Sequence, residues 1–248
     1  MRTEETELGY LACPGPEPAP GVVMIHDVWG LAEHTRHLAR KLAAGGFAVL
    51  AVDLYRKLPS REVGADPGRW IRGLPDPELL AVVQEAIDAL AGGAARGREV
   101  GITGFCMGGQ YTILAAAACT GLAAAVPCYG MLSHEHGLLA PAPGEPPLDP
   151  ARKPRSPLEA AAQVRCPTLA LFGADDSFIP VEDVLALQRE LAKAGPDHVV
   201  SLYAGAGHAF LNDTRPDLYR PAIAREAWSR LATWLGRLGD RPGDPAIR

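Results

Sequence analysis

The chain has 248 residues, 48% hydrophobic and 21% charged, with a net charge of −5. That is ordinary globular composition, long enough for one large core, and it argues against a disordered or fibrous chain. No block of Lys or Arg stands out, which speaks against a nucleic-acid partner.

The N-terminal stretch MRTEETELGY is acidic and polar, without the basic and apolar regions of a signal peptide. The longest apolar runs are strand or helix length, too short to span a bilayer. Cysteines at 13, 106, 119, 128 and 166 show no C-x-x-C spacing, and five is an odd number. Such usage points to reduced thiols and a cytoplasmic location rather than a disulfide framework.

Taken in order, GVVMIH (21–26) reads as a strand, followed by a helix over about 34–44 stopped by Gly45 and Gly46. FAVLAVD (47–53) is the next strand, and a long polar loop runs from Leu54 to Pro75. Leu79, Leu80, Val83, Ile87 and Leu90 then form one helical face. EVGITG (99–104) is a short strand, and Gln110–Cys119 is a helix of small residues.

The second half repeats the rhythm, with strands at 122–130, 167–173 and 198–204. Helices are expected near 181–194 and from about 217 to 238. The last ten or so residues, from about 239 to 248, are expected to fray. Strands alternating with helices imply a single α/β domain, a mostly parallel sheet covered on both faces. Residues 133–157 hold seven prolines, too many for a helix or central strand, and are read as an insertion over the sheet's C-terminal edge. That insertion and the 54–75 loop would both lie where the crevice of an open α/β sheet forms.

The sharpest local signal is Gly104-Phe105-Cys106-Met107-Gly108-Gly109, after a strand and before a helix. It has the G-x-C-x-G form of a nucleophile elbow with Cys in place of Ser. A sharp strand-to-helix turn pushes the central side chain out over the sheet edge, and the helix N-terminus beneath favours negative charge there. A buried Cys in a Gly-rich turn is the plainer alternative. Asp175 and Asp176 follow a later strand and His208 follows the last one, in the chain order nucleophile, acid, base. His208 would shuttle the proton, and Asp176 would fix its tautomer. Set against this, the aspartates could cap a helix and the histidine could pack in its turn.

These residues carry a family resemblance. The stretches His26-Asp27-Val28-Trp29-Gly30, Asp53-Leu54-Tyr55, GFCMGG, Tyr129-Gly130, Cys166-Pro167, GADDSFIP and GAGHAF resemble the dienelactone hydrolases of the α/β-hydrolase superfamily over nearly the whole chain. The resemblance implies a carboxymethylenebutenolidase-like hydrolase with Cys106, His208 and Asp176 as a triad. It also implies an oxyanion hole from the backbone N–H groups of Val28 and Met107. Asp27 takes the place of a family Glu that contacts the resting thiol and releases it when substrate binds. Lactone-cleaving members hold a substrate carboxylate with arginines, one of them four residues after the catalytic His; here that position is Asn212. Arg69 or Arg72 of the long loop are the candidate replacements, and Trp29 and Tyr129 are candidate pocket walls.

His34 with His37, and His134 with His136, lack an obvious third ligand, so neither pair is read as a zinc site. His26 is read as orienting the oxyanion loop rather than reacting. The substrate is expected to be a small ester or lactone cleaved through a thioester, with no metal, nucleotide or prosthetic group implied. No nucleic-acid or membrane partner is expected, and no oligomeric state follows. Acyl transfer by the same thiol and a catalytically silent binding module are the competing readings.

Overall fold

A computed structural model describes residues 1–239; the expected frayed tail lies outside the described residues, apart from Gly239. Fifteen strands and helices follow one another in chain order. They begin β1 (Arg2–Thr6), β2 (Gly9–Cys13), β3 (Gly21–Ile25), α1 (Glu33–Ala44), β4 (Ala48–Val52), α2 (Pro67–Gly73) and α3 (Asp76–Gly92). They continue β5 (Val100–Phe105), α4 (Met107–Ala118), β6 (Leu122–Cys128) and α5 (Pro157–Ala161). The last four are β7 (Thr168–Gly173), α6 (Val181–Ala194), β8 (His198–Tyr203) and α7 (Pro221–Gly236).

One eight-stranded sheet runs in the order β1-β2-β4-β3-β5-β6-β7-β8. All pairings from β4 to β8 are parallel, and β1 and β2 add an antiparallel hairpin at one edge. β3, β4, β5 and β7 are buried along their whole length, the signature of strands covered on both faces. Helices α3, α4, α5 and α6 pack one on the next over one face. On the other face lie α1 and α7, bridged where the Lys41 ammonium sits 4.1 Å from the Trp228 ring centroid. This is the architecture of an α/β-hydrolase.

The register sets up the site. Ile25 pairs with Gly104, Phe105 with Cys128, and Gly173 with Tyr203. The loops that leave β3, β5, β7 and β8 therefore emerge at one edge of the sheet, the C-terminal edge where crevices form in such folds.

The structure adds one hairpin and changes two expectations. The N-terminal hairpin had no apolar alternation to reveal it, because β1 is RTEET and largely exposed. The 54–75 stretch is no continuous loop: it carries α2, where the Asp66 carboxylate accepts the Arg69 N–H at 2.9 Å and Pro67 opens the first turn. The last helix begins at Pro221 rather than near 217. The proline-rich insertion contains a single 3₁₀ turn, at Gly137–Leu139. It is tied to α2 by Arg72, which donates to the Leu138 carbonyl, and to α6 by His136, 3.1 Å from Asp183.

Candidate active site

Cys106 stands between β5 and α4 with φ 56° and ψ −119°, a backbone conformation that side-chain-bearing residues rarely adopt. Its N–H donates to the Cys128 carbonyl at 3.1 Å, and its own carbonyl accepts the N–H groups of Gly109 and Gln110. The turn is feasible only with glycine around it. A Cβ on Gly104 would lie 2.2 Å from the Gly108 carbonyl oxygen, and one on Gly108 would lie 2.3 Å from that of Ile25. The first turn of α4 is thus pressed against the ends of β3 and β5, and the thiol is lifted over them. Cys106 is partly exposed, whereas Cys13, Cys119, Cys128 and Cys166 are buried. Burial pushes the thiols of Cys119 and Cys166 up to about 11 and that of Cys128 higher still.

His208 and Asp176 meet beside it. His208 Nδ1 lies 2.8 Å from Asp176 Oδ2, and Asp176 Oδ1 accepts the Phe178 N–H, also at 2.8 Å. Both carboxylate oxygens are therefore used, and the carboxylate is fixed in place. Asp175 is exposed, and its backbone N–H closes onto the Ala206 carbonyl. The second ring nitrogen of His208, Nε2, is buried without a partner of full hydrogen-bond geometry, and Cys106 is close enough to act on it. Burial lowers the proton affinity of His208. The opposing influences are the Cys106 charge, the hydrogen bond to Asp176, the contact with Cys106 and the Asp176 charge. Together they outweigh burial and raise His208 to about 10.

Loop residues after β3 complete one wall. Asp27 Oδ1 accepts the Trp29 N–H at 2.9 Å, so its carboxylate closes a short turn around Val28. Met107 is the first residue of α4, where an N–H has no partner a turn earlier. His26 is fully buried. Its Nε2 lies 3.2 Å from the Leu54 N–H it accepts, which leaves the proton on Nδ1, 2.6 Å from the Asp27 carbonyl. Burial holds this imidazole below its ordinary proton affinity, and its two hydrogen bonds link the Asp27 carbonyl to the Leu54 N–H.

The candidate substrate residues disperse. Trp29 is 56% exposed. Tyr129 is buried with φ 38°, its ring edge-on to His208 at 5.3 Å. Arg72 is held by Glu145 at 2.8 Å and by the Leu138 carbonyl at 2.9 Å, which commits it to the insertion. Arg69 is exposed on α2 and lines a cavity of about 610 Å³ with Trp70, Leu58 and Leu74. Asn212 turns its Oδ1 to the Thr214 N–H and hydroxyl. His34, half-buried, faces Asp213 at 3.6 Å. Among the described residues no three His, Cys, Asp or Glu side chains could share a metal ion.

Two residues at the site were not singled out in sequence. Phe178, 39% exposed, sets its ring edge-on to His208 at 5.1 Å. Tyr55 is buried beneath the loop after β3. Both lay inside quoted motifs, but neither residue type announces a role by itself.

The sequence model of the dienelactone hydrolase family matches residues 8–239. The chain belongs to that family. A provisionally named carboxymethylenebutenolidase of Escherichia coli K12 is 32% identical over 232 residues, 90% of this chain and 79% of the relative. A provisionally named 2-oxo-3-(5-oxofuran-2-ylidene)propanoate lactonase of Bradyrhizobium is 30% identical over 93% of this chain and 89% of its own length. The crystal structure of a provisional dienelactone hydrolase from Klebsiella pneumoniae superposes with a TM-score of 0.79, at 30% identity and 92% coverage of each chain. This family member is a hydrolase of lactones or esters. Among the described residues no helix is long and apolar enough to cross a membrane.

Proposed function

We propose that this dienelactone hydrolase-family chain cleaves a small ester or lactone through a thioester on Cys106. The reading is carried by one juxtaposition: a thiol on a strained turn at a helix N-terminus, beside a histidine that is hydrogen-bonded to a buried aspartate. The Cys106 sulfur attacks the carbonyl carbon, forming an S–C bond. The carbonyl oxygen becomes negative and is received by the N–H groups of Val28 and Met107. As the tetrahedral species collapses, the C–O bond breaks and His208 Nε2 gives its proton to the departing oxygen. Water, deprotonated by His208, then attacks the thioester, the C–S bond breaks and the acid leaves. Asp176 holds the imidazole in the tautomer both half-reactions need.

Asp27 is read as the charge that restrains the resting sulfur. For a lactone both products are one molecule, a hydroxy acid. Five unpaired cysteines fit a reducing, cytoplasmic compartment.

The test is a screen of lactones and short aryl esters with wild-type protein and Cys106→Ala, together with mass-mapped iodoacetamide labelling. Cys106 should be the first thiol modified, and activity should fall in step with its modification. Full hydrolysis after complete alkylation of Cys106 would end the triad reading.

A further inference from the structure

We infer that Tyr55 is a positioning residue for the oxyanion hole, bridging the two residues that carry its donors. This rests on the reading that Val28 and Met107 receive the oxyanion. Tyr55 follows β4, and its hydroxyl donates to the Val28 carbonyl at 2.9 Å while lying 3.0 Å from the Met107 sulfur. One buried phenol therefore touches both residues whose N–H groups form the hole, although they lie on different loops, after β3 and after β5. Burial pushes the phenol far above its ordinary range, so it remains a neutral donor.

The surroundings of Tyr55 fix its direction. Its ring packs edge-on to His26, centroids 4.9 Å apart, and edge-on to Trp70 of α2 at 5.6 Å. Its own N–H is held by the Asp53 carboxylate at 3.1 Å. His26 donates to the Asp27 carbonyl, which belongs to the same peptide group as the Val28 N–H. Tyr55 donates to the next carbonyl along. The two peptide planes that flank Val28 are thus held through their carbonyls, one by each residue. A planar peptide held by its C=O has its N–H aimed the other way, and accepting a hydrogen bond polarises the group. An oxyanion donor works only when aimed before charge develops, and this clamp supplies that aim.

Ester attack and iodoacetamide alkylation separate this role from general support. Both use the Cys106 sulfur, but alkylation displaces iodide at a saturated carbon and builds no oxyanion. In Tyr55→Phe, kcat for a short aryl ester should fall about 10- to 100-fold with KM nearly unchanged. A trifluoromethyl ketone, which forms a tetrahedral adduct with the thiol, should bind more weakly by a similar factor. The iodoacetamide rate of Cys106 should stay within about twofold of wild type. If Tyr55→Phe does not fold, Trp70→Leu keeps the hydroxyl but frees the ring, and the same split is expected at smaller size. A folded variant with unchanged kcat and unchanged ketone affinity overturns the inference, as does an equal loss of ester turnover and alkylation. Failure of the underlying triad would look different: wild-type protein alkylated at Cys106 would still hydrolyse the ester.

Discussion

The Lys153 ammonium lies 2.5 Å from the Asp76 carboxylate, both side chains buried and 77 residues apart in sequence. Tyr111 of α4 donates to the same carboxylate oxygen at 2.6 Å, so the insertion, α3 and α4 meet at one charged point. Burial lowers the proton affinity of Lys153, and the charge and hydrogen bond of Asp76 oppose it. The insertion has little regular structure of its own, so this ion pair, with the Asp76 N–H on the Arg152 carbonyl, fastens its far end to the α/β core. Removing one partner leaves the other charge buried without its counter-charge.

Lys153→Met and Asp76→Leu should therefore each destabilise the fold by about 3–5 kcal/mol, while the double substitution should recover much of that loss. Urea unfolding of the four proteins measures it. Additive losses in the double variant would show that the two charges do not depend on each other.

A second prediction concerns pH. Burial lowers His208, but its contacts with Cys106 and Asp176 outweigh that and raise it to about 10. A raised group holds its proton below its folded value and loses it above. The acid that protonates the leaving oxygen is thus present through neutral pH and disappears as pH approaches 10. Single-turnover acylation should keep its rate to about that pH and fall beyond it. Asp176→Asn keeps the shape and removes the charge, so the fall should move to lower pH and the neutral rate should drop, on the order of ten-thousandfold. An alkaline limb in the same place for both proteins would remove Asp176 from this role.

Much of this site was readable from the chain alone, because its parts lie at strand ends. β3, β5 and β7 are wholly buried, so their apolar runs stood out, and the polar residue after each run fell at the C-terminal edge. What escaped depends on distance in sequence. Nothing near Lys153 points to Asp76, and nothing near Tyr55 points to Met107, 52 residues on. β1 escaped for another reason: a polar edge strand has no buried face to print an alternation. Helix α2 did carry a signal, Asp66 followed by Pro67, but seven residues amid glycines and prolines gave no apolar period.

Selectivity gives a third prediction. Asn212 is occupied with Thr214, and Arg72 is spent on Glu145 and Leu138. Neither is placed to meet a substrate carboxylate, and an exposed Arg69 pays solvation to do so. Neutral esters and matched anionic lactones should then have kcat/KM values within about tenfold of each other. Asn212→Arg, which supplies a planar two-donor cation, should shift that ratio toward the anionic lactone by about tenfold or more. A hundredfold preference for the anionic lactone in the wild type would contradict this and direct attention to Arg69.

The last prediction separates two jobs of Asp27. Its Oδ1 accepts the Trp29 N–H at 2.9 Å and so shapes the turn around Val28, and Tyr55 and Tyr129 each feel both Asp27 and Cys106. Negative charge near a thiol disfavours the thiolate, whereas the helix N-terminus and the His208 imidazolium favour it. Asp27→Asn retains an acceptor for the Trp29 N–H and removes only the charge. Iodoacetamide should then alkylate Cys106 about three- to tenfold faster at neutral pH, with ester turnover close to wild type. Asp27→Ala loses the turn as well. It should show the same faster alkylation but slower ester turnover, because Val28 is no longer held from within its own loop. Alkylation rates against pH, set beside kcat for one aryl ester, distinguish the two substitutions. If Asp27→Asn leaves the alkylation profile where it was, the charge does not restrain the sulfur, and Asp27 serves only to close the turn that presents the Val28 N–H.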